Sequence, residues 1–335
     1  MGNNKLSLVF KIGLPLLISV VLVVFLYRSV DWDAIMQSLR SDVDYVWFIP
    51  VVIVGILSHV FRGLRWRLQL RAIGLEAPVM PVVNSIFATY FINLLAPRVG
   101  EVFRVGYISK RENAPFSTVF GTMLSDRLCD TLMVGLITLL TLFIASDKIM
   151  TFLGNGESSG GTLMAWLGAI CLVGLLAMIW LYHTTSTNKV IASLRGVVVG
   201  LWQGIVSIAR VESVTMFVVY TLLIWGCYYG GFVIAAQAFT LPIEMSMETC
   251  LVLFVFSSLG MAVPSNGGLG PWQYAVIFGF ALYGLGSLPL TTPYNSQASA
   301  FAMLVWGVQT LMLIVLGIYS LIAMWLEKRP APTRQ

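Results

Sequence analysis

The chain has 335 residues, of which 58% are hydrophobic and only 10% charged, and its formal net charge is +5. A soluble globular domain carries about 25% charged residues, so a water-soluble fold is excluded. The apolar residues gather into runs, and about 20 residues of helix cross the hydrocarbon of a bilayer; several helices therefore span a membrane.

The first run, 12–27, follows Lys5 and Lys11. Arg28, Asp31 and Asp33 come after it with no small-residue cleavage pattern, so it reads as a retained helix and not as a signal peptide. Further runs cover 45–61, 79–96, 117–145, 163–182, 213–238, 249–263, 271–288 and 298–326. Two of these look too short or too broken to cross. Run 79–96 leads straight into a basic segment, and run 249–263 ends at Pro264 and a glycine cluster, as re-entrant hairpins do.

Loop charge separates the options, because Lys and Arg collect on the cytoplasmic side. If all nine runs crossed, 7 Lys/Arg would lie inside and 12 outside. If 79–96 dips in and returns, and 249–288 forms a hairpin from the other side, the tally becomes 16 inside and 3 outside. The expected fold is an all-α polytopic membrane protein with six spanning helices and two re-entrant hairpins; eight or more full spans is the alternative. Both termini, the Arg62–Arg71 cluster, the segment 98–114 and the loop 183–212 are then cytoplasmic. The acidic loop with Asp31, Asp33, Asp42 and Asp44 is outside, and the inner cell membrane is the expected location.

The same reading exposes an internal repeat. Pro97 and Pro264 stand 167 residues apart, half the chain, and each half reads as span, span, hairpin, span. Residues 1–153 form the first unit, 154–162 a Gly/Ser linker, 163–326 the second unit and 327–335 a tail. Three crossings per half insert the second unit upside down, the 3+3 inverted arrangement that secondary transporters use to build a midplane site.

Three groups of residues have the chemistry for such a site. Asn93, Pro97, Arg98, Gly100, Glu101 and Arg104 follow the first hairpin; in a helix Arg98 and Glu101 pair at i,i+3 and leave Arg104 free for an anion. Arginine's planar fork suits phosphate, whereas a solvated loop whose arginines only set topology is the plainer alternative. Asp126, Arg127 and Asp130 fall inside an apolar run, where each costs about 2.5–3.5 kcal/mol if unpaired. Arg127 can reach Asp130 on its own helix, leaving Asp126 for Arg98, Arg104 or a substrate cation; a purely structural ion-pair network is the alternative. Pro264, Asn266, Gly267, Gly268 and Gly270 form a tip whose amides can cradle an anion or simply allow a tight turn. No G-K-[ST] follows, so a nucleotide site has little support.

A fourth cluster, His59, Arg62, Arg65, Trp66, Arg67 and Arg71, abuts a span and reads as an interfacial anchor facing anionic lipids, with no call for nucleic acid. Trp32, Trp47, Trp180, Trp272 and Trp325 read as belt residues. The four cysteines, Cys129, Cys171, Cys227 and Cys250, lack C-x-x-C spacing, and the two histidines have no carboxylates around them. No metal or other cofactor is expected.

Arg65-Trp66, N-L-L-A-P-R-V-G-E-V-F-R from Asn93 to Arg104, D-R-L-C-D from Asp126 to Asp130 and P-S-N-G-G-L-G from Pro264 to Gly270 together resemble the lysylphosphatidylglycerol synthase transmembrane region, also called flippase-like. The resemblance covers roughly 10–326. One departure is Asp126, where the family more often has Glu ahead of the arginine. The resemblance implies a membrane domain that moves lipids, classically an aminoacylated phosphatidylglycerol, between leaflets. Full synthases carry a soluble aminoacyl-transfer domain after this region; the sequence ends nine residues beyond its last apolar run, so a stand-alone membrane domain is expected. Some relatives without the transfer domain handle glycolipids or polyprenyl-linked carriers.

The leading expectation is thus a lipid flippase or scramblase, not an enzyme, with membrane phospholipids or a lipid-linked molecule as partner and protons or other ions as the coupled species. The alternatives are an enzyme acting on lipid head groups through Glu101 or Asp126, and a non-transporting scaffold of an envelope-lipid synthesis complex. The sequence does not define the oligomeric state.

Overall fold

The computed structural model describes residues 31–148, 176–184, 211–263, 265–285 and 295–327, with positions 24, 28, 188, 191, 192, 195, 196 and 199. The runs 12–27 and most of 163–182, the linker 154–162, Pro264 and the tail beyond Glu327 lie outside the described residues. Along the rest run α1 (Trp32–Ser41), α2 (Phe48–Arg71), α3 (Val79–Leu95), α4 (Val99–Arg111), α5 (Phe116–Ile144), α6 (Val214–Gln237), α7 (Met247–Ala262), α8 (Pro271–Leu282) and α9 (Ser296–Leu326). A polytopic helical membrane protein is what these elements make: α2 with the turn before it, α5, α6 and α9 are long and apolar enough to cross a bilayer.

Side chains at the helix starts explain where the elements begin. Ser213, Ser246 and Asn295 cap α6, α7 and α9 by accepting from Met216 N at 3.2 Å, Thr249 N at 3.2 Å and Ala298 N at 3.0 Å. Pro81 sits in the first turn of α3 and Pro271 opens α8, positions where a missing N–H costs nothing. Pro97 ends α3, because the residue before a proline is pushed out of the helical region; Ala96 is accordingly extended at φ −144°.

Two helical hairpins stand against the long helices. After Pro97 the chain turns through Arg98, which holds the left-handed φ of 64°, and α4 folds back along α3. The segment 98–114, expected to be a cytoplasmic loop, is therefore mostly the return arm of the first hairpin. Gly100 makes that return possible: its N–H donates to Asn93 Oδ1 at 2.9 Å, and a Cβ there would run into the Thr89 carbonyl. The second hairpin is α7 and α8, in which a Cβ on Gly260 would lie 2.7 Å from the Pro271 carbonyl. Close backbone approach of this kind is how helices associate in lipid, where hydrophobic drive between them is lost.

Packing crosses between the halves. The first hairpin lies on α9, the second touches α5, and α2 and α6 pack along each other. At one end Asp44 N donates to Ala238 O at 2.8 Å, Thr240 N to Asp42 O at 2.9 Å and Gln297 Nε2 to Asp42 Oδ2 at 3.3 Å. At the other end Arg71 pairs with Glu212, and Tyr107 and Arg111 hold Glu327. The start of α2, the end of α6 and the start of α9 thus lie together at one end.

Candidate functional site

α2 carries His59, Arg62 and Arg65 at helical spacing, and α5 carries Asp126 and Asp130 one turn apart, so two chemically opposite stripes face each other. Arg65 reaches both carboxylates: its Nη2 lies 2.7 Å from Asp126 Oδ1 and 2.7 Å from Asp130 Oδ1, and its Nε donates to Asp126 at 3.0 Å. Arg62 pairs with Asp130 and donates from Nη2 to Tyr228 Oη at 3.3 Å. From α4, Arg104 Nη2 sits 3.3 Å from Asp126 Oδ2 while its guanidinium lies 4.5 Å from the Trp66 ring centroid. Arg127 pairs with Glu101. Trp66 is fixed in turn by donating to Thr122 Oγ1 at 3.0 Å.

Five sequence-based expectations change as a result. Glu101 takes Arg127, not Arg98, which stands exposed at the hairpin tip. Arg127 pairs with Glu101 across helices, and Asp130 on its own helix pairs with Arg62 and Arg65. Arg104 is 2% exposed and engaged, so it is not a vacant anion seat. Arg62, Arg65 and Trp66 are buried and do not anchor the protein at the lipid interface. Trp272 is likewise buried and no belt residue, unlike Trp325. The physical reason is common to all: a second helix brings carboxylates or packing partners that spacing along one helix cannot reveal.

Arginine stays protonated in proteins, so Arg62, Arg65, Arg104 and Arg127 against Glu101, Asp126 and Asp130 leave one positive charge in excess. This cluster borders a cavity of about 310 Å³ formed by α2, α3, α5, α6, α7, α8 and α9. Its charged end is made by His59, Arg62, Tyr90, Arg127, Asp130 and Tyr228; Trp225, Ser257, Ser258, Trp272 and Gln309 lie among the other lining groups. Met261 and Gln309, both exposed, stand at its mouth.

Of the residues that the sequence assigned to the site, Arg127 and Asp130 line this cavity; His59, Arg62 and Trp272, read from sequence as anchor or belt residues, line it too. Asp126, Arg104 and Glu101 support it from behind through ion pairs. Asn93, Pro97, Arg98 and Gly100 build the first hairpin's tip, and Asn266, Gly267, Gly268 and Gly270 the second's. The tips touch: Asn266 Nδ2 lies 3.4 Å from Leu95 O, and a Cβ on Gly267, at φ +60°, would strike Leu94. Trp306 Nε1 donates to Gly267 O at 3.0 Å. The Gly270 N–H is already given to Gln273 Oε1 at 2.8 Å and the Leu269 N–H to Asn266 O at 3.1 Å, so these two tip amides serve the turn. Among the described residues no three His, Cys, Asp or Glu side chains converge as metal ligands would.

Sequence reasoning missed His59, Arg62, Tyr90, Trp225 and Tyr228 as site residues. The available signal was Arg62 and Arg65 three apart on a helix, with His59 three residues before Arg62 on the same stripe. Interfacial anchors have no need of such a shared face.

Fold and site define a polytopic membrane protein whose helices surround an arginine-rich ionic cluster beside a mostly apolar cavity with one charged end. The family follows from the sequence match: the chain belongs to the lysylphosphatidylglycerol synthase transmembrane-region family, whose profile matches residues 12–317. It is also similar to a UPF0104 membrane protein, MJ1595, of Methanocaldococcus jannaschii, 28% identical over 145 residues, which is 42% of each chain. A second UPF0104 membrane protein, PH1989 of Pyrococcus horikoshii, is 26% identical over 132 residues, 38% of each chain. Glycosyltransferase AglD of Haloferax volcanii is 28% identical over 129 residues, 37% of this chain and 21% of that protein. Each match spans less than half of the relative's own length.

Proposed function

We propose that the protein moves lipids between leaflets as a flippase or scramblase, holding the head group in the arginine-bordered cavity while the acyl chains stay in the bilayer. The observation that carries this reading is the cavity itself: a space open to the surface, bordered at one end by a cluster with one positive charge in excess, and set among four helices long enough to span and the two hairpins. A head group inside it avoids the cost of unpaired charge in hydrocarbon. The family's own description, the membrane region of a lysylphosphatidylglycerol synthase, points the same way. Candidate cargoes are an anionic or aminoacylated phospholipid and a polyprenyl-linked lipid or glycolipid.

Translocation fits the site better than catalysis does. Asp126, Asp130 and Glu101 are each engaged by arginines, so none stands as an unpaired carboxylate beside the cavity. The two hairpins, each packed on a span of the opposite half, support an inverted repeat in which both hairpins re-enter the membrane. The Lys/Arg distribution supports cytoplasmic termini in the inner membrane, and coupling to protons or another ion would supply the drive.

The test is reconstitution into liposomes carrying fluorescent phospholipids, following how fast label in the outer leaflet becomes accessible or protected. Movement by the wild type and its loss in Arg127→Gln, with folding checked by helicity and elution, is the expected result. Equal movement in the folded variant, or none of any lipid tested with the wild type, would sink the proposal.

A further inference from the structure

Beyond the ion pairs, three of the residues around the cavity carry a buried polar atom with no partner in the protein. Among the described residues Arg62 Nε, His59 Nδ1 and Trp225 Nε1 are buried and have no hydrogen-bond partner, and all three residues line this one space. Two of the three atoms can only donate, and leaving a buried donor unmade is costly. The lining acceptor that could attract a cation, Asp130, is already shared between Arg62 and Arg65. Glu101 has one unpartnered oxygen, but its side chain pairs with Arg127 and does not line the cavity.

The remaining polar lining is neutral. Ser257 and Ser258 hydroxyls donate to the Phe254 carbonyl at 2.7 and 2.8 Å, which leaves each oxygen with acceptor capacity only. Gln309, at the mouth, offers both a donor and an acceptor. Trp225 and Trp272 expose indole to the same space, the kind of flat apolar surface on which a sugar or polyol face packs. No free carboxylate stands among these lining residues to meet an ammonium.

We propose that the cavity selects a net-anionic head group that is rich in oxygen acceptors and carries neutral hydroxyls, a phosphodiester of glycerol, inositol or a sugar, and that it discriminates against aminoacylated head groups. The phosphate takes the Arg62, Arg127 and His59 end. The hydroxyl-bearing unit reaches toward Trp225, Ser257, Ser258 and Gln309. An aminoacyl ammonium would instead enter a site that already has one positive charge too many, with its only lining carboxylate occupied. This inference rests on the reading that the cavity receives a lipid head group.

Purified full chain in detergent, titrated with short-chain lipids and followed by thermal shift, tests it. The probes are phosphatidylinositol, phosphatidylglycerol, phosphatidic acid and lysyl-phosphatidylglycerol. Phosphatidylinositol and phosphatidylglycerol should bind at least about tenfold more tightly than lysyl-phosphatidylglycerol. Trp225→Phe, which removes one neutral donor, should weaken them by about 3- to 10-fold, and Gln309→Glu should narrow the gap to lysyl-phosphatidylglycerol. Lysyl-phosphatidylglycerol binding as tightly as the anionic lipids, in an Arg127-dependent way, would overturn the selectivity and leave the cavity reading intact. Phosphatidic acid binding as tightly as phosphatidylinositol would overturn the role given to the hydroxyls. If no lipid binds, the cavity reading falls and this inference with it.

Discussion

Asp126→Asn is the sharpest test of how the ionic cluster is built. Asp126 is fully buried, and one carboxylate meets Arg65 at 2.7 Å, Arg104 at 3.3 Å and Arg62 at 3.8 Å. Asparagine keeps the shape and one acceptor but raises the local excess from one positive charge to two and turns an amide toward arginine donors. Breaking a buried pair from one side costs about 3–5 kcal/mol, a large part of the roughly 5–15 kcal/mol that holds a typical domain together. Unfolding in mixed micelles titrated with SDS, read by helicity, should show that loss. Arg104→Met in the same background removes one of the stranded charges and should recover a measurable share, a coupling that a double-mutant cycle isolates. A loss under about 1 kcal/mol in Asp126→Asn would refute the network as drawn. The corollary concerns function: absent transport in Asp126 or Arg104 variants reports lost folding as readily as a lost substrate contact, whereas Arg127, with a side chain 41% exposed, tolerates replacement better.

Gly100→Ala should destabilise by about 1–3 kcal/mol or more, since the added methyl meets the Thr89 carbonyl across the first hairpin; thermal unfolding in detergent measures it. Trp306→Phe removes the 3.0 Å bond to Gly267 O and should cost about 0.5–1.5 kcal/mol, with hydrogen exchange at 265–270 rising because the second tip loses its tether. Asp42 is held below the ordinary aspartate value of 3.8 by hydrogen bonds from Ser41, Ser38 and Gln297. A carboxyl with a lowered folded-state pKa stabilises the fold above the unfolded value and loses that contribution as pH falls through the folded one. Wild-type stability should therefore drop in acid below 3.8 by an increment that Asp42→Asn lacks, and equal acid profiles would remove Asp42 from the clip joining α1, α6 and α9.

Hydropathy and charge made most of the architecture readable. Runs 45–61, 117–145, 213–238 and 298–326 became α2, α5, α6 and α9, because a bilayer demands one unbroken apolar helix per crossing. The proline and glycine signals near 97 and 264–270 marked both hairpins, since a pre-proline residue leaves the helix and positive φ calls for glycine. Local sequence could not say that α4 is the hairpin's return arm. Its polar, basic composition matches a surface loop, and only the carboxylate of Asp126 and the ring of Trp66, brought from α5 and α2, make burial of Arg104 affordable.

The candidate site was legible in its ingredients and not in its assembly. Asp126, Arg127 and Asp130 announced themselves because charge inside an apolar run is expensive and needs a partner. Which partner each takes depends on residues 22 to 68 apart in sequence, and side-chain spacing along a single helix carries no information about its neighbour. The cavity depends even more on tertiary structure, being lined by seven helices whose individual contributions, such as Trp225, Ser257 and Gln309, look like ordinary membrane-helix residues. By itself the sequence determined that this chain spans a bilayer, where it breaks and that it hides charge, because solvation in lipid acts residue by residue. Which charges meet, and which buried donors are left without a partner, was decided only when the helices packed.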